Sequence, residues 1–381
     1  MKRKFSLGRL VSVFIIFAVL LGLFYLIAPK YVSRALIYQK VNIDDYTIFD
    51  NRKVKAKEPQ PWLVNENLKA IPQHHLEQMM PYEPVAFLIV QDDRIVAENY
   101  WEDYSLSSYS NAFSSTKSIV SLLIGIAVDK GSIDSLGQAV GDFFPHYSKG
   151  KKAKITIRDL LTMSSGLNWD ESYGRLFSTT TQAYYGENIK ELVMELEAVE
   201  PSGQQFKYLS GNTQLLGQIL STATPYTMSN FASNYLWTPI GAEYDALWSL
   251  DEEGGYEKAY CCFNSNARDF ARIGQLLLDE GRAYGKQVVS KDYIRQATTA
   301  ASWLVDEDGD ENDFYGYGWW LLNYKGKTVH YARGILGQYI FVLPDYDAVV
   351  VRLGHKRSDE YLNHHPKDVF IYLDAAFEML N

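Results

Sequence analysis

The chain has 381 residues, of which 47% are hydrophobic and 14% aromatic. This composition supplies a sizeable core for one large or two coupled domains, and it excludes an intrinsically disordered chain. The formal net charge of -9 argues against a nucleic-acid partner, because phosphate binding needs a basic face.

The N-terminus carries a targeting signal. Residues 1–9 contain four basic residues and no acid, and residues 10–28 then run without a charge. A helix of that length spans about 28 Å, close to the roughly 30 Å hydrocarbon core of a bilayer. We therefore predict a cytoplasmic tail, a transmembrane signal anchor and a remaining chain on the periplasmic or extracytoplasmic side. A cleaved signal peptide is the alternative, but the apolar stretch is long for one and lacks a small-x-small exit.

The remaining chain divides into a linker or arm and one folded domain. Residues 29–60 are mixed and polar, which favours a stalk or a loosely packed arm, and residues 61–381 form the predicted domain. Residues 85–101 contain two strand-like runs around Asp92-Asp93, the pattern of a β-hairpin. Residues 118–131 have the length and composition of a buried helix that ends at Gly131.

Helical and strand-like segments alternate unevenly after this point. A helix start is predicted at Thr156, and strand character returns only after residue 314. Strands at both ends with helices between them indicate an α/β (α+β) fold, in which an antiparallel sheet is flanked by helices beside an inserted, mostly helical region. Further helices are predicted at 188–199, 212–222, 228–236, 267–281, 290–298 and 369–380, and late strands at 315–324, 327–332, 339–344 and 348–354.

The chain has only two cysteines, the adjacent pair Cys261 and Cys262. Two cysteines exclude a disulfide framework and a four-cysteine zinc site. The pair is interpreted as two small buried side chains, with a reactive or redox role as the alternative.

The first catalytic candidate is an S-x-x-K motif, Ser114-Ser115-Thr116-Lys117, which precedes the buried helix. Three positions apart at a helix start, serine and lysine lie on one face. The helix N-terminus offers free N–H groups to a developing oxyanion, and a buried neutral lysine can accept the serine proton. A second copy starting at Ser148 lies in a charged, glycine-containing stretch and is interpreted as a surface loop. A capped helix with a solvated lysine is the alternative interpretation of the first copy.

Two later segments add candidates. In Tyr208-Leu209-Ser210-Gly211-Asn212, a tyrosine can shuttle protons while Ser210 and Asn212 offer side-chain hydrogen bonds. In the segment from 330 to 344, Gly334 allows the backbone to approach a ligand closely, and the N–H of Ile335 is a natural second oxyanion donor. A loop tyrosine and a glycine bulge in a core strand are the alternatives.

Together, these three segments resemble the beta-lactamase-related serine hydrolases, and the 6-aminohexanoate-dimer hydrolases most of all. The blocks ITIRDLLTMSSGLNWDE, NARDFARIGQLLLDEG and YGYGWW add to the resemblance, which covers roughly residues 80–380. The resemblance implies the beta-lactamase/transpeptidase-like fold and an acyl-enzyme mechanism without metal or organic cofactor. It implies Ser114 as nucleophile, Lys117 as its proton partner, Tyr208 as assistant in both half-reactions and Ile335 as oxyanion donor.

The sequence departs from beta-lactamases at one place. These enzymes carry K-T-G or H-x-G on the last site-lining strand, where this chain has Ala332-Arg333-Gly334. Arg333 can supply a cation for substrate, but strand alternation leaves its direction open. We therefore expect an amide or ester rather than a beta-lactam as the small-molecule substrate. A catalytically weak sensor or binding protein with the same fold is the alternative.

The sequence lacks the motifs of other catalytic classes, which argues against them. The sequence contains no G-x-S-x-G elbow and no H-E-x-x-H zinc motif. The pair His364-His365 is interpreted as solvated rather than metal-binding.

Overall fold

The computed structural model describes residues 27–381, together with residues 8, 11–12, 14–16 and 22. The helices of 27–381 are α1 (Lys30–Tyr38), α2 (Gln73–Met79), α3 (Thr116–Asp129), α4 (Ile157–Leu161), α5 (Thr179–Tyr185), α6 (Ile189–Met194), α7 (Ser210–Ala223), α8 (Met228–Ala232), α9 (Ala267–Leu278), α10 (Lys291–Ala297) and α11 (Lys367–Leu380). The strands are β1 (Asn51–Val54), β2 (Leu63–Val64), β3 (Pro84–Gln91), β4 (Arg94–Tyr100), β5 (Ser110–Asn111), β6 (Ala246–Ser249), β7 (Phe263–Ser265), β8 (Arg282–Ala283), β9 (Lys286–Gln287), β10 (Trp320–Tyr324), β11 (Lys327–Gly334), β12 (Gln338–Leu343), β13 (Ala348–Gly354), β14 (Tyr361–Leu362) and β15 (His365–Pro366).

The main sheet is built from both ends of the domain, as the sequence predicts. Within the described residues it has seven strands in the order β10-β11-β12-β13-β3-β4-β2. All neighbours pair antiparallel except β2 and β4, which are parallel. The predicted hairpin is β3 and β4, and both Asp92 and Asp93 have positive φ (49° and 59°). Such a two-residue turn matches the right-handed twist of the flanking strands.

Each face of this sheet packs on its own hydrophobic cluster. Successive side chains of a strand point to opposite faces, so Leu88 and Val90 of β3 join one cluster while Phe87 and Ile89 join the other. Helices α3 and α9 contribute to the first cluster, and α11 contributes to the second. The sheet is therefore covered on both sides, and the S-x-x-K helix lies on the face opposite α11.

A second, smaller sheet corrects one prediction. It has four strands in the order β1-β6-β7-β5, and β1 lies in the segment 29–60 that was predicted to be a linker or loosely packed arm. Asn51–Val54 pair antiparallel with Ala246–Ser249, while Ile43 and Val54 are fully buried. The prediction of an arm was wrong, because backbone pairing and two apolar side chains bind this polar segment to the domain.

The remaining helix predictions match the structure with shifted ends. The helix predicted to begin at Thr156 is α4, and Thr156 and Asp159 form a reciprocal capping box at its start. The segment predicted at 188–199 is helical only as α6, and the one at 228–236 is α8 followed by a π-helical turn, Ser233–Trp237.

The predicted signal anchor lies mostly outside the described residues. Among the positions that the structure describes, no helix is long and apolar enough to cross a bilayer. Residues 10–28 include only eight described positions, so the anchor stays a prediction from the sequence.

Candidate active site

Ser114 lies in a tight turn immediately before the buried helix. The turn is the 3-10 segment Phe113–Ser115, and α3 begins at Thr116 rather than at the serine itself. Phe113 has a φ of 45°, a left-handed conformation that is strained for an aromatic residue, and its N–H donates to Asn111 Oδ1 at 2.8 Å. Strain of this kind persists only where the surroundings impose it, and it concentrates at functional sites.

The serines that follow Ser114 hold the helix against its neighbours. Ser115 Oγ donates to the Gln338 carbonyl, Ser118 Oγ to the Gly318 carbonyl, and Ser121 Oγ to the Tyr317 carbonyl. Each of these side chains is buried. The run of small polar residues is thus explained by hydrogen bonds from the turn before α3 to β12 and from α3 to the 317–318 loop.

The second S-x-x-K has no such surroundings. Ser148 is exposed and donates to the Pro145 carbonyl at 2.7 Å, while Lys151 Nζ donates to the Val199 carbonyl at 2.8 Å. The interpretation of this copy as a surface loop is confirmed.

Lys117 is 2% exposed and reaches three oxygen atoms. Its Nζ lies 3.0 Å from Ser114 Oγ, 3.1 Å from Ser210 Oγ and 3.0 Å from the Tyr260 carbonyl. Its ammonium also lies 4.9 Å from the centre of the Tyr208 ring. The structure therefore brings together the S-x-x-K pair and two of the three candidates of the second segment, Tyr208 and Ser210.

A carboxylate that sequence reasoning missed completes this cluster. Glu171 accepts from Ser210 Oγ at 2.7 Å and from the Ser210 N–H at 2.6 Å, and Tyr173 Oη donates to the same carboxylate at 2.6 Å. Since Ser210 Oγ donates to Glu171, it accepts from Lys117. Glu171 lies in the block GLNWDE, but no spacing rule relates it to Ser210, 39 residues away.

Asn212 was predicted to bind substrate, and the structure places it elsewhere. The side chain is fully buried in α7, accepts from Ser165 Oγ at 2.5 Å and contacts the Met163 sulfur. Asn212 is absent from the residues that line the cavity beside Ser114. Its amide joins α7 to the loop after α4, so the geometry gives it a structural position.

The third segment brings a strand end against the nucleophile turn. A Cβ on Gly334 would lie 2.3 Å from the Ala112 carbonyl oxygen, so only glycine fits at this approach of β11 to the turn. Ile335 follows directly and lines the same cavity as Ser114.

The Arg333 guanidinium is held by an aromatic ring and a carbonyl. It packs 3.2 Å from the centre of the Trp320 ring and donates to the His364 carbonyl at 2.7 Å. These two contacts set the side-chain direction that strand alternation left open. The contact of Arg333 with substrate stays a prediction.

The predicted solvated histidine pair is also different in the structure. His365 is 3% exposed and its Nδ1 lies 2.7 Å from Tyr331 Oη, while His364 stacks on Phe314. Burial lowers the pKa of His365 to about 3, so this ring stays neutral.

The cavity beside Ser114 has a volume of about 650 Å³. Its walls combine aromatic rings with a few polar groups, the usual composition of a small-molecule site. Lys40 and Lys356 are its cationic lining residues. The residues around the serine are Phe113, Ser114, Tyr173, Tyr184, Tyr185, Ser210, Tyr260, Cys261, Ile335 and Leu336.

Cys261 of this wall is joined to Cys262 by a disulfide. Both side chains are buried, as predicted, but their pairing with each other was not foreseen. The disulfide follows Tyr260, whose carbonyl binds Lys117. Burial also raises the pKa of the Tyr260 phenol well above its usual value, so this wall of the cavity carries no ionised group.

The structure thus places Ser114 in a cavity, within hydrogen-bond distance of a buried lysine, and the comparison with known families decides the class of the protein. The model of the Beta-lactamase family matches residues 73–371 of this chain. The chain belongs to the beta-lactamase family. It is a serine hydrolase that acts on amide or ester bonds.

Individual relatives agree with this assignment. The 6-aminohexanoate-dimer hydrolase of Paenarthrobacter ureafaciens is 25% identical over 307 residues, which cover 76% of this chain and 77% of the relative. A Bacillus anthracis structure named provisionally as a 6-aminohexanoate-dimer hydrolase has a TM-score of 0.77 at 21% identity, covering 89% of this chain and 92% of that one. A family VIII carboxylesterase has a TM-score of 0.63 at 15% identity, covering 83% and 99%. The predicted fold and resemblance are confirmed.

Proposed function

We propose that Ser114 is the acylated nucleophile and that Lys117 takes its proton. Two of the three neighbours of Lys117 Nζ, the Tyr260 carbonyl and Ser210 Oγ, accept hydrogen bonds from it. An ammonium can donate to all three oxygen atoms, whereas the neutral amine that a general base must be has two N–H groups and one lone pair. With both N–H groups used by these acceptors, the lone pair is left for the hydroxyl of Ser114 at 3.0 Å. This hydrogen-bond arrangement is the observation that carries the proposal.

The reaction follows from these positions. Ser114 Oγ attacks the substrate carbonyl carbon while its proton moves to Lys117, and the N–H groups of Ser114 and Ile335 stabilise the oxyanion. Collapse of the tetrahedral intermediate expels an amine or alcohol, which takes a proton, and Tyr208 lies beside Lys117 to relay it. Water then releases the acyl group by the reverse proton path. Glu171 fixes Ser210, and through it Lys117.

The substrate is a small-molecule amide or ester. The named relatives divide between hydrolases of an amide dimer and an esterase, and the cavity here offers aromatic walls with two lysines. Lys327-Thr328, the nearest sequence to a K-T-G, begins β11, at the end of the strand away from Gly334. In the described strand, Ala332 and Arg333 thus precede Gly334 in place of the lysine and threonine of a K-T-G.

We also propose that residues 10–28 anchor the enzyme in a membrane, with residues 1–9 in the cytoplasm. The support is the uncharged sequence itself. The folded domain then extends beyond the predicted 61–381 to include the segment from 29, since β1 pairs with β6. Deletion of residues 1–28 tests the anchor, because it should release a folded and active enzyme from the membrane fraction. Full-length protein found soluble and cleaved after residue 28 would contradict an uncleaved anchor.

The catalytic proposal is tested by acylation of purified enzyme with a p-nitrophenyl ester. Ser114→Ala and Lys117→Ala should each lose several orders of magnitude in acylation rate, and their losses should not add because the pair acts as one unit. Tyr208→Phe should lose about 10²-fold, since it removes one proton route. The matched control is Ser148→Ala, which should act like the unmodified enzyme.

Mass spectrometry of the trapped adduct locates the acylated residue. An adduct on another serine, or a Ser114→Ala variant with near-normal turnover, would contradict the mechanism. It would also revive the sensor without turnover, which the hydrolase relatives do not favour.

A further inference from the structure

We propose that His74, His75 and Glu378 form a binding site for a divalent transition metal such as Zn²⁺. The two histidines belong to α2 and the glutamate to the last turns of α11. These helices pack together although the residues are 303 positions apart in sequence. Nothing in the serine chemistry uses these three side chains.

The donor atoms have the spacing that a small metal ion needs. His75 Nε2 lies 2.9 Å and His74 Nε2 lies 3.2 Å from the same oxygen, Glu378 Oε2. One ligand atom from each residue lies within 4.8 Å of the others. Ligands held about 2.0–2.2 Å from tetrahedral Zn²⁺ are roughly 3.3 Å from one another. An ion can therefore enter between these atoms with small side-chain rotations.

The two rings converge on one carboxylate. The imidazole centroids of His74 and His75 are 4.1 Å apart, and the Nε2 atoms of both rings lie near the same oxygen, Glu378 Oε2. One divalent cation can bind both imidazole nitrogens, and the carboxylate offsets part of its charge.

Burial of the cluster is suited to a bound ion with an open position. The His75 side chain is 8% exposed, whereas His74 and Glu378 are 58% and 52% exposed. One ligand is thus fixed in the protein while the other two face solvent, which provides an entry path. Two histidines and one glutamate are a known ligand set for Zn²⁺, with water in the fourth position.

The position of the cluster indicates what the metal does. Helix α11 packs on the face of the main sheet opposite the helix that carries Lys117. The ion therefore stabilises the contact between α2 and α11, and ester turnover should not require it. A ligand that binds only the folded state raises the stability of that state in proportion to the logarithm of its concentration.

The test is calorimetric titration of the full-length, metal-stripped protein with ZnCl₂, with melting temperatures measured in parallel. We expect one Zn²⁺ per chain and a melting temperature that rises with free Zn²⁺. Excess Mg²⁺ should not compete, because it prefers an octahedral shell of oxygen ligands.

Two variants with a matched control identify the ligands. Glu378→Gln and His74→Gln change exposed side chains and should each weaken Zn²⁺ binding at least about 10-fold. His146→Gln, an exposed histidine elsewhere on the surface, should bind as the unmodified protein does. The proposal is overturned if the protein binds no stoichiometric Zn²⁺, if Mg²⁺ displaces it, or if both ligand variants retain full affinity. Zn²⁺ binding should be the same in the Ser114→Ala variant, whether or not that variant loses ester turnover. Either proposal can therefore fail without the other.

Discussion

Replacing Gly334 by alanine should damage catalysis much more than folding. The added Cβ would lie 2.3 Å from the Ala112 carbonyl oxygen, about 1 Å closer than ordinary van der Waals contact. Ala112 belongs to the turn that carries Ser114, and Gly334 precedes the proposed oxyanion donor Ile335. Relief of the clash must move strand and turn apart by about that distance. Misplacement of reacting groups by about 1 Å can cost roughly 10²-fold in rate.

The assay is single-turnover acylation by a p-nitrophenyl ester. We expect the acylation rate of Gly334→Ala to fall about 10²-fold, while circular dichroism shows a folded protein. Gly137→Ala is the matched control, because the nearest atom to its new Cβ is 3.7 Å away and the site is exposed. Acylation within a few-fold of the unmodified rate in Gly334→Ala would refute the close approach of β11 as a determinant of the oxyanion site.

Three further predictions follow from the site and its surroundings. Burial lowers the pKa of Lys258 to about 7; the unfolded chain therefore binds more protons between about pH 7 and 10.5, and stability should rise with pH in that window. The free energy of unfolding in urea should rise by about 2 kcal/mol between pH 7 and 9, and Lys258→Met should lack this rise. The same pH dependence of the unfolding free energy in both proteins would contradict the effect of burial. Glu171→Gln should lower kcat without abolishing it, because Ser210 loses a charged acceptor; an unchanged kcat would remove Glu171 from the network. Nitrocefin should be hydrolysed far more slowly than the ester, and comparable rates would mean that another cation replaces the missing K-T-G.

Features governed by local rules could be predicted from the sequence. Ser114 and Lys117 are three residues apart, and this short spacing at a helix start was enough to predict that they face each other. The hairpin of β3 and β4 was equally local, because Asp92-Asp93 fits a two-residue turn between alternating strands. The apolar run after Lys117 likewise predicted the buried helix.

Features that depend on distant partners could not be predicted. Strand β1 has the sequence Asn-Arg-Lys-Val, whose first three residues give no strand signal, and it forms because β6 offers an edge to pair with. Arg333 lies on β11, one residue past the strand predicted at 327–332, and its side-chain direction is set by Trp320 and the His364 carbonyl. Asn212 lies on a predicted helix, yet its side-chain oxygen accepts a hydrogen bond from Ser165 in another loop.

Lys117, the proposed proton acceptor, shows why a motif alone is insufficient evidence for catalysis. A lysine three residues after a serine also occurs at Ser148, where Lys151 binds a surface carbonyl. The difference lies in the other partners of the amine, since Lys117 is held by the Tyr260 carbonyl and by a serine whose own proton is directed to Glu171. Those partners come from sequence positions 143 and 93 residues away. The chemistry proposed for the motif therefore depends on tertiary contacts that surround Lys117 with two acceptors besides Ser114.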